Sequence, residues 1–469
     1  MAEHTPQDTA ERVLADCGAD GCVVVVERTS TAYLRWAGNT VIGNGHTDEG
    51  RTTVAALRDT PEGTAAGVVS RGGVRGLDTA GIAEDARRAS FQSIPSRDAP
   101  ALPGPREAPA SSAADWDAPV PGVLEDALAV VPEELGSVFA RARAESRLLY
   151  GYAEHRIRTT YLASSSGTRL RHVQPSATLD LTVRAADSPA SSWAGDSASG
   201  DPLTPFPPGW VASMDDRLRE RPWRKERSVL PPGRYEVLLS PSCVADLMLH
   251  MYRSMDAEEA LAGRTAFGRP GGGTRVGERL TRQPLTLRSD PGSPGLGCVP
   301  FVVARDAEGS VFDSGLALRP TDWIADGTLG ALVRDRRSAR GAGAAATPRT
   351  DSLCLAGPAD APSLADMVAS TDRALLLTSL WYLRQVDPGS LLLTGLTRDG
   401  VYLVENGEIT GAVGNFRFEE SPLGMLDRVV EVGRTERTLP REWGDCSTRT
   451  AMPALRVAGF TMSSTTTSS

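Results

Sequence analysis

The chain is almost without lysine. Lys225 is the only one in 469 residues, and arginine supplies the rest of its positive charge. No lysine stands elsewhere to grip a phosphate or form a Schiff base. Net charge is -9 and the pI is near 5.3, so there is no basic stripe to neutralise a phosphate backbone, and nucleic acid is not expected as a partner. The six cysteines, Cys17, Cys22, Cys243, Cys298, Cys354 and Cys446, include no C-x-x-C pair to clamp zinc or exchange disulfides. They read as the reduced thiols of a cytoplasmic protein. No apolar run approaches a membrane span. The longest, "ALLLTSLWYL" from Ala374 to Leu383, has about half the needed length, and "MAEHTPQDTAERVL" is acidic and polar instead of a charged and then apolar leader. Histidine is scarce as well: His4, His46, His155, His172 and His250 are all there are.

A chain of this length exceeds what one core sustains, so two or three domains are expected. Residues 1–93 read as a small α+β unit: a helix, then a β-meander with turns at Gly38-Asn39 and at the hairpin signal Asn44-Gly45, and a closing helix with Asp78 as N-cap and Ile82, Ala86 and Ala89 on one face. Residues 94–120 are rich in Pro, Ser and Ala and read as a linker. In residues 121–228 a helix precedes the strands "IRTTYLAS" and "ATLDLTVRA", and Leu179, Leu181 and Val183 alternate with polar residues at period two. A polar loop around "GDSASG" and the basic helix "DDRLRERPWRKER" follow. Residues 229–462 are strand-rich, with runs such as "YEVLLS", "CVPFVVARD", "SVFDSGLA" and "DSLCLAG", a hairpin at Asn406-Gly407 and few helices. One of those helices is expected over "SPLGMLDRVVEVG", with Leu423, Leu426, Val429 and Val430 as its stripe and Gly433 as its cap. The fold class is therefore α+β: antiparallel meanders with helices first, then a large antiparallel β core, barrel-like or mixed. Residues 463–469 read as a disordered tail.

The helix over "PSCVADLMLHMYRSM" carries the question of function. Val244, Leu247, Met248, Met251 and Met255 recur at helical spacing and form one apolar face. Asp246, His250, Arg253 and Ser254 lie off it. Metal-binding helices pair a histidine with a second one and with a glutamate that activates water. Here both are missing, so His250 reads as a solvated or hydrogen-bonded residue beside the core. His46, with Asp48 and Glu49, falls at what reads as a hairpin tip, where polar residues serve the turn. His155 and His172 read as strand residues facing solvent, and His4 as part of a frayed terminus. "GDSASG" lacks the strand-to-helix G-x-S-x-G turn of a serine nucleophile and reads as linker. "GRPGGGTRVGE" has no lysine and no βαβ context for phosphate binding and reads as a mobile loop near a cleft. No residue is assigned as catalytic, metal-binding or cofactor-binding.

Three stretches, "YEVLLSPSCVADLMLHM", "SLWYLRQVDPGSLLLTGLTRDGVYLVENGEITGAVGNFRFEESPLGMLDRVV" and "PREWGDCSTRTAMPALRV", resemble the TldD/TldE (PmbA) family of heterodimeric metallopeptidases. In that family the TldD subunit carries H-E-x-x-x-H on the helix after such a strand, two zinc ligands flanking a glutamate base, with a cysteine near the C-terminus as a further ligand. This chain has His250 in the first position but Met251 and Met255 in the other two, and Cys446 near the cysteine position. A thioether can neither take a proton from water nor replace imidazole on zinc. The resemblance therefore implies a TldE-like subunit without cofactor of its own, whose TldD-like partner brings the zinc. His250, Arg253 and Cys446 are the cleft candidates. Substrates would be unfolded or extended peptides held as added strands, in peptide maturation or leader removal. Two other readings stand beside it: a homodimeric peptide-binding scaffold of the same fold, and a self-sufficient hydrolase using His250 and Cys446.

Overall fold

The computed structural model describes residues 4–73, 76–123, 128–186, 193–200, 206–221, 228–304, 310–444 and 447–466. Its first sheet joins β1 (Gly21–Ala37), β2 (Thr40–Thr60), β3 (Gly63–Gly72), β4 (Arg147–Ser164), β5 (Arg169–Ala185) and β6 (Trp193–Ser199) in the order β3-β2-β1-β4-β5-β6, each neighbouring pair antiparallel. Both stretches flanking the proline-rich segment thus contribute to one sheet. Helices α1 (Pro6–Cys17) and α2 (Thr79–Gln92) cover one face, where Val24, Val26, Val54 and Ala56 are buried. Val23, Val25 and Ala55 on the other face pack against Val299 and Phe301 of the second half. Burial on both sides accounts for the unbroken run "CVVVV". Asp78 caps α2 through the Gly81 amide, as its sequence suggests.

The β1–β2 turn is Gly38-Asn39, both residues at positive φ, as a tight two-residue hairpin turn requires. Asn44-Gly45, expected as a turn, instead lies inside β2 opposite Leu34 and Tyr33. A Cβ at Gly45 would sit 2.8 Å from the Tyr33 hydroxyl, so a larger residue there would require the Tyr33 ring to shift. The proline-rich segment is pinned across the sheet. The hydroxyls of Ser166 and Thr168 donate to the Pro103 carbonyl, Arg171 donates to that of Pro119, and the segment includes α3 (Ala110–Ala114). "GDSASG" lies in β6 and is strand, not linker. The basic stretch forms α5 (Trp210–Glu220), packed beside α4 (Val130–Ala144), while residues 222–227 of it lie outside the described residues. His155 and His172 are not solvent-facing: burial alone lowers the first, and it pushes the second down to about 4 with Arg449 and Arg171 adding to the effect.

The second half is one mixed sheet wrapped around α6 (Pro241–Arg253). Its strands are β7 (Gly233–Leu239), β8 (Thr286–Ser289), β9 (Thr321–Ala325), β10 (Thr328–Leu329), β11 (Leu353–Ala356), β12 (Arg373–Leu377), β13 (Leu380–Asp387), β14 (Leu392–Thr397), β15 (Val401–Glu405), β16 (Glu408–Val413), β17 (Phe416–Glu420), β18 (Val429–Thr438) and β19 (Thr450–Thr465). The main path is β10-β9-β8-β11-β19-β7-β12-β15-β16, and a branch runs β13-β14-β17-β19. The β7–β12 and β11–β19 pairs are parallel and the rest antiparallel. In β7, Val237 and Leu239 face α6, whereas Leu238 faces the α4–α5 layer and the first sheet. That double burial is written in the continuous run "VLL". The remaining helices, α7 (Ala257–Leu261), α8 (Arg336–Ala342), α9 (Leu364–Ala369) and α10 (Pro422–Leu426), are short. The protein is α+β, and none of its described helices is long and apolar enough to cross a membrane.

Three local expectations change. The helix over "SPLGMLDRVVEVG" stops at Leu426, and Val429–Gly433 is strand, its alternate residues Val429 and Val432 packing into the core. Among its described residues, 298–304, "CVPFVVARD" forms no ladder beyond a bridge at Phe301, and "SVFDSGLA" contains a short 3-10 turn over Val311–Asp313. Ser463 to Thr465, expected in a disordered tail, belong to β19, and Ser464 and Thr465 pair with β17. The Asn406-Gly407 hairpin turn forms as read, both residues at positive φ.

Candidate functional site

Helix α6 begins where β7 ends. Ser240 caps it by accepting from the Cys243 amide, and Pro241 takes the first turn, where its missing N–H costs nothing. Val244, Leu247, Met248, Met251 and Met255 are fully buried. Each such side chain contributes about 1.5–3 kcal/mol relative to exposure, and together they fix the helix inside the sheet. Burial pushes the neighbouring Cys243 thiol up to about 12, which leaves it protonated and unreactive.

Asp246, off the apolar face, is also completely buried. Its carboxyl oxygens accept from three successive backbone amides, those of Arg441 at 3.2 Å, Glu442 at 3.0 Å and Trp443 at 3.3 Å. Such consecutive N–H groups form a concave cradle for a carboxylate. Burial pushes the Asp246 carboxyl up to about 8, against the pull of those three donors. The loop it holds reaches onward to β13. There the Glu442 carboxylate accepts from the amides of Tyr382 at 3.1 Å and Leu383 at 3.2 Å. Tyr382 is at positive φ, and the β13–β14 register shifts between Trp381 and Arg384, so these two amides point away from the ladder. Residues 439–444 therefore tie α6 to the edge of β13.

His250 lies beneath this loop. Its ring meets that of Trp443 edge-on, with centroids 5.0 Å apart at 75°, and the Arg253 guanidinium stands 5.0 Å from the same indole. Nε2 of His250 is buried and has no hydrogen-bond partner. Burial pulls the imidazole down to about 4, with Arg253 and Arg384 acting in the same direction, so the ring is neutral near pH 7. The structure thus brings His250 and Arg253 together around Trp443, while Cys446 lies outside the described residues. His46 sits in a strand, 2.7 Å from the Ser30 hydroxyl and 3.7 Å from Asp48. Among the described residues, no three His, Cys, Asp or Glu side chains converge as a metal site. The glycine-rich loop after Gly268 is closed by Glu278, which pairs with Arg269 and Arg275. Glu442, Trp443 and the buried role of Asp246 escaped sequence reasoning, because their contacts join segments nearly 200 residues apart; the charged and aromatic run "PREWGD" was the one available signal.

Two outcomes test this geometry. Glu442→Ala should cost about 1 kcal/mol, the typical net worth of such bonds, and speed amide exchange at Tyr382 and Leu383; unchanged exchange would show that the carboxylate does not protect that edge. His250 has a folded value depressed below the ordinary 6.5, so its contribution is fully present above about 6.5 and is lost as pH falls through about 4. Urea unfolding between pH 7 and 4 should accordingly show a shallower acid loss in His250→Gln than in the unaltered chain, and identical slopes would assign that loss to other groups.

Residues 232–464 match the model of the PmbA/TldA metallopeptidase C-terminal domain, and through this half the chain belongs to that family. No curated protein matches the sequence. Among solved structures the chain is similar to TldE from Thermococcus kodakarensis, with a TM-score of 0.76 at 15% identity over 97% of this chain and 100% of that one. A proposed modulator of a DNA gyrase from Thermotoga maritima gives a TM-score of 0.75 at 14% identity, over 97% of this chain and 100% of that one. A protein similarly described from Bacteroides thetaiotaomicron gives 0.73 at 14%, over 98% of each chain. At these identities the likeness is one of fold. The family's description implies a metal, and the described residues around α6 do not fit one. His250 offers a single buried nitrogen, and the positions where a second imidazole and a carboxylate would be needed are thioethers packed in the core.

Proposed function

We propose that this chain is the TldE-like, metal-free subunit of a two-subunit peptidase of the cytoplasm acting on unfolded or extended peptides, in peptide maturation or leader removal, and that a TldD-like partner supplies zinc, its bound water and the base. The observation that carries this reading is the state of α6: Met251 and Met255 are wholly inside the core, the neutral His250 has no second histidine on the helix, and the carboxyl one turn before it, Asp246, is taken up by the amides of Arg441, Glu442 and Trp443. Such a helix can hold a wall in place but cannot activate water. The bulged edge of β13, with two outward amides now held by Glu442, supports a role in gripping backbone, since an added strand is bound through main-chain hydrogen bonds whatever its sequence.

Co-expression with a TldD-like chain from the same genome tests the proposal. The expected result is a stable complex that cleaves casein-like peptides and loses activity to a chelator, with this chain alone inactive and free of stoichiometric zinc. A partner fully active without this chain, and no complex, would overturn it. Self-dimers that bind extended peptides without cutting them would favour the scaffold reading instead.

A further inference from the structure

Strand β2 outruns the strand beside it. Its ladder with β1 extends from Leu57 opposite Gly21 to Thr40 opposite Ala37, whereas β3 pairs with it only from Thr60 to Arg51. The β2–β3 ladder closes where the Gly73 amide donates to the Gly50 carbonyl, 2.8 Å away. From Thr40 to Gly50, no strand among the described residues pairs with the outer side of β2. That stretch is about 36 Å long at the usual rise of a strand, and every residue in it except Gly43, Gly45 and Gly50 is exposed. The margins of the sheet elsewhere are engaged. Gly195 of β6 donates its amide to the Asp399 carbonyl and accepts from Arg221, and β3 is bridged at Thr64 to Ser96.

An open edge presents N–H and C=O groups to any strand that arrives, and proteins that stay apart guard such edges with lysine, proline or a bulge. The stretch "TVIGNGHTDEG" has neither lysine nor proline. The one irregularity in its ladder, between Arg35 and Trp36, lies close to the turn and leaves the rest regular. Val41 and Ile42 are apolar and outward, at 42% and 57% exposure. Charge is unevenly placed: Asp48 and Glu49 stand at one end, while the exposed Arg35 lies opposite Gly43 toward the other. Gly43 sets no side chain between that guanidinium and a strand added alongside. A parallel copy of the same strand would put the acidic ends side by side. An antiparallel copy keeps them apart and brings each toward the other's Arg35, so the edge is complementary to itself.

We propose that Thr40–Gly50 pairs with the same edge of a second copy of this chain, antiparallel across a two-fold axis near Asn44, so that two six-stranded sheets join as one. Pairing ends on each side where the Gly38-Asn39 turn of one copy meets the end of the other's β3. The contact is one ladder with few apolar groups, so the dimer forms reversibly. The inference stands apart from the proposed function, because it involves neither α6 nor a metal nor a peptide.

Analytical ultracentrifugation of the full chain tests it. A monomer–dimer equilibrium is expected, with dimer evident by about 100 µM, the range of a small reversible contact. Ile42→Lys, at an exposed position, should weaken the dimer about tenfold or more without lowering the melting temperature, since it sets a charge from each copy into the paired edge. Asn44→Cys should cross-link into a dimer on mild oxidation, whereas Glu62→Cys, in the exposed turn between β2 and β3, should not. A chain that stays monomeric at that concentration and gives no cross-link, or a dimer unmoved by Ile42→Lys, would overturn the proposal. So would a lone chain that is monomeric while Ile42→Lys breaks its complex with a TldD-like chain. The edge would then belong to that partner, and the two-subunit reading would stand without self-pairing.

Discussion

Asp246→Ala is expected to remove about 2–4 kcal/mol of stability, because it strands three partly buried amides, each worth roughly 1–3 kcal/mol when left unpaired, and the losses are not fully additive. The amides of Arg441, Glu442 and Trp443 have no alternative acceptor of comparable reach in α6, whose neighbouring side chains are apolar. Chemical denaturation gives the magnitude, and the Trp443 environment gives the mechanism. If residues 439–444 are held by this carboxyl, tryptophan emission should shift to the red in the variant at denaturant concentrations where the unaltered chain is still folded. Asp246→Asn should cost less, since one oxygen remains for two of the amides while the new NH2 faces the third. An alanine variant as stable as the unaltered protein would show that water or a local shift satisfies the amides. The pH response provides a second check on the same group. Its folded value, near 8, lies above the ordinary 3.8, so the stabilisation tied to the protonated form is complete below about 3.8 and is lost as pH rises through about 8. The variants should lack that component.

The second large effect concerns an attempt to restore the motif that α6 lacks. Met251→Glu combined with Met255→His should destabilise the chain by about 4 kcal/mol or more, because both side chains are fully buried against apolar neighbours and a carboxylate placed there is either desolvated or forced to take up a proton. Zinc is not expected to rescue it. Isothermal titration with zinc and thermal unfolding in its presence read the outcome directly. A double variant that binds one zinc tightly and regains its melting temperature would mean that the helix can turn these positions toward His250, and the non-catalytic reading of α6 would fall.

Much of this arrangement was visible in the residues, and the pattern of what was not is physical. The period of Val244, Leu247, Met248, Met251 and Met255 placed α6 and its buried face, since helical spacing is a property of neighbours in sequence. Asn406-Gly407 declared a turn and made one. Asn44-Gly45 carries the same signal and lies in a strand, because the β1–β2 ladder runs through it to the turn at Gly38-Asn39. Val429 and Val430 fit a helical stripe equally well, and the pull of β19 on Val429–Thr438 made a strand of them. The tie between Asp246 and Glu442 was illegible for a simpler reason: 196 positions separate the partners, and nothing local at either end names the other. His250 was legible as a residue without its catalytic companions. That Trp443 covers it was not.

Strand β19 bonds to β7, β11, β17 and β18 at once. Every one of those partners leaves the ribosome earlier, so during synthesis the wrapped half of the protein waits with α6 largely uncovered until its last strand is delivered. The wait exposes a long apolar helix and several unpaired ladder edges, and it makes residues 450–465 the closing step of assembly. A nascent chain halted before Thr450 should accordingly engage chaperones strongly, and one released a few residues past Thr465 should engage them little.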